Sequence, residues 1–238
     1  MPGPRLVIAC CFMLLCAPLA AAEESAAYTI SFGGVRAGIL AFRAEDAGGR
    51  YTVNGSARAS GLLGALLDAE VDTVSQGRVS GNTYRPAMAR EVTVGGSDPS
   101  RRTYSFSNVG VPKVTQEPAK KAPRHAAPPA QQAGTVDTTT AAFAILRDRP
   151  AALACDLDVS IYDGRRRHRI TFDQAAPSQD GLTCTGRYTR VAGFSPKDMA
   201  GQTVWPLRKE YTRQPDGTMR VTRLSFSTSF GTARITRR

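Results

Sequence analysis

Large apolar residues along this chain recur mostly at every second position. Tyr28, Ile30 and Phe32 alternate with Thr29 and Ser31, and Tyr51 and Val53 follow a Gly48-Gly49 turn. Val71 and Val74, Val92 and Val94, and Tyr104 and Phe106 mark further short strands bounded by glycine or proline. Beyond residue 150 come Leu157-Val159-Ile161, Ile170-Phe172, a segment from Cys184 to Val191, Leu207 to Thr212, Val221 to Phe230, and Arg234-Ile235-Thr236. A period of two places alternate side chains on opposite faces of a strand. Many short strands at this spacing predict a mainly β fold, an antiparallel sheet bent strongly into a β-spiral or open barrel.

Two segments break the alternation and predict one or two short helices. Asp137 precedes TTTAAFAILR, so its carboxylate can accept the first free amides while Phe143, Ile145 and Leu146 form the apolar side and Pro150 ends the element. Gly61-Leu62-Leu63-Gly64-Ala65-Leu66-Leu67 reads as a weak apolar helix or turn, a candidate movable cover over the sheet. Between strand regions, residues 110–134 hold scattered prolines and almost no large apolar side chain. That composition predicts a disordered, Pro-rich insert in a single β-rich domain over residues 23–238, with His125 solvated in it.

The N-terminal pattern is different again. Arg5 is followed by an uncharged run from Leu6 to Cys16, too short for a lasting bilayer anchor, and then by Ala20-Ala21-Ala22. This predicts a cleavable signal peptide over residues 1–22, export to the periplasm and no membrane span afterwards. Lipidation at Cys10 is the alternative, with too little apolar chain ahead of it. Cleavage removes Cys10, Cys11 and Cys16 and leaves Cys155 and Cys184, which an oxidising compartment joins in one disulfide. Two free buried thiols are the other reading. Cys155 has to lie ahead of its strand, or the sheet has to curl sharply, because two intervening strand spacings are too wide for the bond.

Charge changes the picture less than its size suggests. The chain is +11 formally, with the excess almost wholly arginine, and this favours anionic partners such as lipid or an envelope polymer. Export argues against nucleic acid. The densest basic stretch, SIYDGRRRHRITF, reads as a hairpin turning at Asp163-Gly164. Pairing outward from a two-residue turn sets Tyr162 against Arg165 and Val159 against His168. Leu157, Val159, Ile161, His168, Ile170 and Phe172 then share one face, while Tyr162, Arg165, Arg167 and Arg169 lie on a solvated one. His168 reads as a packed histidine. With two histidines and no GxSxG, SxxK or P-loop motif, the sequence nominates no catalytic residue, cofactor or metal ligand.

Several short motifs run in a suggestive order: Tyr28-x-Ile30, Val35-x-Ala37-Gly38, Gly77 with Tyr84-Arg85-Pro86, the helix-opening Asp137, and Ile161-Tyr162-Asp163-Gly164-Arg165-Arg166. Together they resemble the exported bacterial family called domain of unknown function 3108. The plan is also similar to periplasmic β-spiral and lipoprotein-carrier-like envelope proteins. The resemblance implies an exported, mainly β, non-enzymatic envelope protein and carries over no catalytic residues. The leading expectation is a binding module whose concave face takes an acyl chain or similar apolar group. Inward Phe32, Phe42, Tyr104, Phe106, Ile161, Phe172 and Phe226 would line that face, with rim arginines meeting an anionic head. A carboxylate-based hydrolase of envelope carbohydrate and a structural partner of another envelope protein are the alternatives. A deep apolar cavity would favour the first, a cleft with facing carboxylates the second and a flat apolar patch the third.

Overall fold

The structure is a computed structural model and describes residues 22–61, 64, 69–107, 111–228 and 231–238. The proposed cover at Leu62-Leu63 and Leu66-Leu67 lies outside the described residues. The strands are β1 (Ala22–Phe32), β2 (Val35–Ala47), β3 (Arg50–Ala59), β4 (Ala69–Ser80), β5 (Thr83–Gly95), β6 (Ser100–Phe106) and β7 (Pro112–Glu117). After helix α1 (Thr138–Leu146) come β8 (Arg149–Pro150), β9 (Leu157–Tyr162), β10 (Arg167–Ser178) and β11 (Gly181–Ala192). A short helix α2 (Pro196–Ala200) precedes β12 (Val204–Arg213), β13 (Thr218–Thr228) and β14 (Gly231–Arg237).

All the strands belong to one antiparallel sheet, ordered β7-β6-β5-β4-β3-β2-β1-β14-β13-β12-β11-β10-β9, with β8 beside β13. Two meanders are thus joined where β1 pairs with β14, Tyr28 opposite Arg237 and Phe32 opposite Ala233. The outermost strands, β7 and β9, are separated in the chain only by the segment that holds α1 and the two-residue β8, and Val136 bridges the β9 edge. The segment between them must cross from one edge to the other, and it carries α1 through the concave side.

Period-two alternation builds the core as the sequence predicts. Tyr28, Phe42, Tyr51, Val53, Ile161, Phe172, Leu207 and Tyr211 turn inward around Phe143 and Leu146 of α1. Asp137 caps that helix: its Oδ1 accepts the amides of Thr139 and Thr140 at 3.0 and 2.9 Å. Its Oδ2 accepts the hydroxyls of Thr140 at 2.7 Å and Ser75 at 2.9 Å, which fixes the helix to β4. At Gly55 a Cβ would stand 2.6 Å from the Thr73 hydroxyl and 3.6 Å from the Thr139 methyl, so glycine lets α1 settle onto β3. Phe32 departs from expectation. It ends β1 beside the Gly33-Gly34 turn and is 41% exposed rather than inward.

The hairpin forms, but with a longer loop. Tyr162 pairs with Arg167 and Val159 with Ile170, leaving 163–166 as a four-residue turn. The Asp163 carboxylate accepts the amides of Arg165 and Arg166 at 2.9 and 2.6 Å, a local closure that outcompetes the tighter turn. A slip of two residues keeps every side chain on its expected face.

That outer face is not solvated as predicted. Tyr162 and Ala192 are buried against Ala89, Tyr104 and Ala127, with Phe106 and Val114 beside them. Gly164, at a φ of 89°, lies where a Cβ would be 3.1 Å from Arg102 and 3.3 Å from the Tyr104 hydroxyl. The β9 end therefore tucks beneath β5 and β6, and the sheet overlaps itself without closing.

The Pro-rich stretch is corrected in the same way. Within 110–134, Pro112–Glu117 is a strand paired with β6. Further along, the Ala127 amide donates to Arg165 O at 2.8 Å. Arg165 Nε donates to His125 O, and Arg167 donates to Gln131 O, both at 2.9 Å. Apolar content alone underestimates this segment, because its backbone is paired with β6 and with the hairpin, and Val114 and Ala127 pack into the overlap. Residues 118–124 remain exposed on their side chains. Trypsin is expected to cut first after Lys120, Lys121 or Arg124, and the two fragments should co-elute through the β1–β14 seam and α1. Earlier cleavage elsewhere, or fragments that separate, would contradict this arrangement on a gel and sizing column.

Candidate functional site: an apolar cavity on the concave face

Between α1 and the inner faces of β9 to β14 lies a cavity of about 540 Å³. Ala141, Ala142 and Ile145 of α1 form one wall. Ile161, Ile170, Leu207, Leu224, Phe226 and Ile235 form the other, and Leu40 closes one side. The strands supply this lining by alternation: β11, β12 and β13 each contribute two inward residues two apart, and β9, β10 and β14 one each. Small alanines on the facing side of α1 leave the space that larger residues would fill.

One end of the cavity is different in chemistry. Tyr188 and Arg190, two apart on β11, line it together with Trp205 of β12, which pairs with Tyr188. The Arg190 guanidinium lies 4.6 Å from the Trp205 ring centroid and 5.2 Å from that of Phe194. Its NH1 donates to Asp198 O at 3.4 Å on the capped turn of α2, and its buried Nε has no hydrogen-bond partner. No carboxylate pairs with Arg190 among the described residues. A cation held against two aromatic rings at the mouth of an apolar space can meet an anionic group without a desolvated acid of its own.

His168 has partners the sequence did not reveal. Its Nε2 donates to Asp163 Oδ2 at 3.1 Å, which leaves Nδ1 to accept the Tyr188 hydroxyl at 2.6 Å. Burial holds the Tyr188 hydroxyl above its usual range, so it stays protonated and turned toward the histidine. The Asp163–His168–Tyr188 chain thereby presents the ring of Tyr188, rather than its oxygen, to the cavity.

Carboxylates do come together elsewhere. Glu24 and Asp148 neighbour each other beside Arg147 and Arg237, and Glu24 Oε1 accepts the Asp148 amide at 2.7 Å. Burial raises Glu24 to about 7. Neither carboxylate lines the apolar cavity. Among the described residues no group of three or more His, Cys, Asp or Glu side chains is placed to hold a metal ion. No helix there is long and apolar enough to cross a membrane.

The sequence-predicted site residues divide cleanly. Cys155 and Cys184 are joined, with Cα atoms 5.2 Å apart. Cys155 lies two residues ahead of β9, which removes the spacing conflict. Arg165 and Arg167, predicted on a solvated face, hold the 125–131 backbone instead. Ile161 and Phe226 line the cavity, whereas Phe42 and Phe172 are packed core and Tyr104 belongs to the overlap. Arg190, Trp205 and Tyr188 were missed. Their signal was a Tyr-x-Arg alternation and the sole tryptophan, both on strands whose inward side the period alone does not specify.

A family profile described as "Protein of unknown function (DUF3108)" matches residues 27–237. The chain belongs to this family. No curated protein matches it. Among solved structures it is similar to a β-barrel-like protein of domain of unknown function DUF1849 from Brucella abortus. The TM-score is 0.51 at 12% identity, covering 93% of this chain and 97% of that one. At that identity the likeness shows the fold alone.

Proposed function

We propose that this DUF3108 protein is an exported periplasmic, envelope-associated binding protein without catalytic activity. Its ligand is a single-chain amphiphile. The apolar tail fills the cavity beneath α1 and the anionic head meets Arg190 between Trp205 and Phe194. The observation that carries the reading is the cavity: about 540 Å³, almost wholly apolar, with a guanidinium at its end that forms no ion pair among the described residues and whose Nε has no hydrogen-bond partner. Its size falls within the range of small-molecule sites. Each buried methylene contributes about 0.8 kcal/mol, so the tail supplies most of the affinity and the head supplies orientation. The N-terminal pattern and the Cys155–Cys184 bond support export to an oxidising compartment.

Fluorescence titration with an anthroyloxy-labelled fatty acid tests this. Ala142→Trp, which fills the cavity from α1, is expected to weaken uptake about 100-fold or more, the loss of roughly three or four methylene contacts. Arg190→Gln should weaken it by only about 3–10-fold, as for a charged group near the surface. Failure of the unaltered protein to take up any apolar probe would transfer the assignment to a structural partner of another envelope protein. Equal losses in both variants would place the ligand at the arginine rather than in the cavity.

A further inference from the structure

At the end of the sheet where the β2–β3 and β4–β5 turns meet, three arginines face one another across adjacent strands. Arg50 of β3 is directly opposite Arg78 of β4, and Arg78 is directly opposite Arg85 of β5. Residues opposite in an antiparallel ladder share a face, with Cβ atoms about 5 Å apart. Tyr51 and Tyr84, their chain neighbours, are buried in the core, so this row stands on the outer face. All three side chains are exposed. None has an ion pair or side-chain hydrogen bond among the described residues.

Like charges directly opposite destabilise a sheet, and elsewhere this protein relieves them: Glu23 stands opposite Glu45 but is paired with Arg43. Arg58 has Glu70, Arg101 has Glu117, Arg169 has Asp158, Arg187 has Asp173, and both Arg208 and Arg223 have Glu210. Arginines without a carboxylate, such as Arg36, Arg213 and Arg234, stand opposite neutral residues. In the described pairings arginine meets arginine at 50, 78 and 85 and nowhere else. The row borders a hollow of about 620 Å³ that also exposes Ser80 and Thr83.

We propose that Arg50, Arg78 and Arg85 form a binding site for a phosphate-bearing anion. Guanidinium forks match phosphate oxygens two at a time, and a row spanning two strand spacings, about 10 Å, suits a group with at least two negative charges. Ser80 and Thr83 supply hydroxyl donors beside it. The bound anion offsets the repulsion that no carboxylate among the described residues relieves. This site is separate from the apolar cavity and does not rest on the amphiphile reading.

The test compares the purified protein with Arg50→Gln/Arg78→Gln/Arg85→Gln and with Arg36→Gln/Arg213→Gln/Arg234→Gln, a control of equal charge change. In buffer without polyvalent anions the first variant should melt no lower than the unaltered protein, because repulsion is relieved. Sodium pyrophosphate should raise the melting temperature of the unaltered protein and the control by several degrees and leave the first variant unmoved. Vesicles containing phosphatidic acid, whose phosphomonoester carries up to two negative charges, form the second arm, with phosphatidylcholine vesicles as the neutral reference. Vesicle binding at least about tenfold weaker in the first variant than in the control assigns the site to lipid headgroups, with or without the pyrophosphate shift. A pyrophosphate shift alone assigns it to a soluble phosphate-bearing ligand. Equal losses in the two variants, or no difference of either from the unaltered protein in both arms, would overturn the site.

Discussion

Lys209→Met is expected to stabilise the protein by about 1–4 kcal/mol at pH 7, as found when buried ionic groups give way to apolar ones of similar size. Lys209 has no exposed surface, and its Nζ has no hydrogen-bond partner. The amine lies 4.2 Å from the Phe172 ring centroid and 5.0 Å from that of Tyr211, contacts that methionine sulfur also makes well. Burial, with Arg149 nearby, pushes the amine well below its usual range. The folded state therefore prefers the neutral amine, while the unfolded chain binds a proton up to about pH 10.5. Stability from this group is present above pH 10.5 and is lost as pH falls toward the folded value, at about 1.4 kcal/mol per unit. Urea unfolding at pH 7 and at pH 10 checks the sign: the advantage of Lys209→Met should be larger at pH 7. A variant less stable than its parent, or a gap independent of pH, would mean that the amine has a counter-charge in solution.

Removing the disulfide should cost nearly as much in the other direction. Cys155→Ala/Cys184→Ala frees a loop of 29 residues in the unfolded chain, a loss of about 3–4 kcal/mol in the chain-entropy account. The bond ties the segment entering β9 to the inner face of β11, beside the position where Lys209 pairs with Cys184. Tyr211 still donates to Ala154 O at 3.0 Å, and Asn82 Nδ2 to Leu153 O at 3.1 Å, so the alanine variant should remain folded. Thermal unfolding with and without reductant measures the difference. No change in melting temperature would show that these hydrogen bonds already hold the segment in place.

How much of this was legible depends on how local each cause is. Alternation announces strands because inward and outward positions follow from backbone geometry alone, and Asp137 announces its helix because the cap lies within three residues of its partners. The faces of the 157–172 hairpin were readable for the same reason. Its register was not, since Asp163 closes a four-residue loop through amides that a two-residue turn would leave free. Tyr162 and the Pro-rich stretch were misplaced because their partners, Tyr104 and the hairpin arginines, are distant in sequence. The cavity is the least legible part. It exists because α1 offers alanines where β12 to β14 offer large side chains, and no single segment contains that mismatch.

The pairing of β1 with β14 sets a timetable for assembly. Tyr28 and Arg237 are separated by 209 residues, yet their strands lie side by side in the middle of the sheet. A chain emerging from a ribosome or a translocation pore delivers one side of this seam early and the other only after both meanders have passed. Until then β1 and β13 each expose a line of unpaired amides and carbonyls, so the half-made protein is open to strand pairing with other copies. The finished sheet brings together the two strands synthesised furthest apart, and a chain cut short before residue 231 would keep both edges open for as long as it lasts.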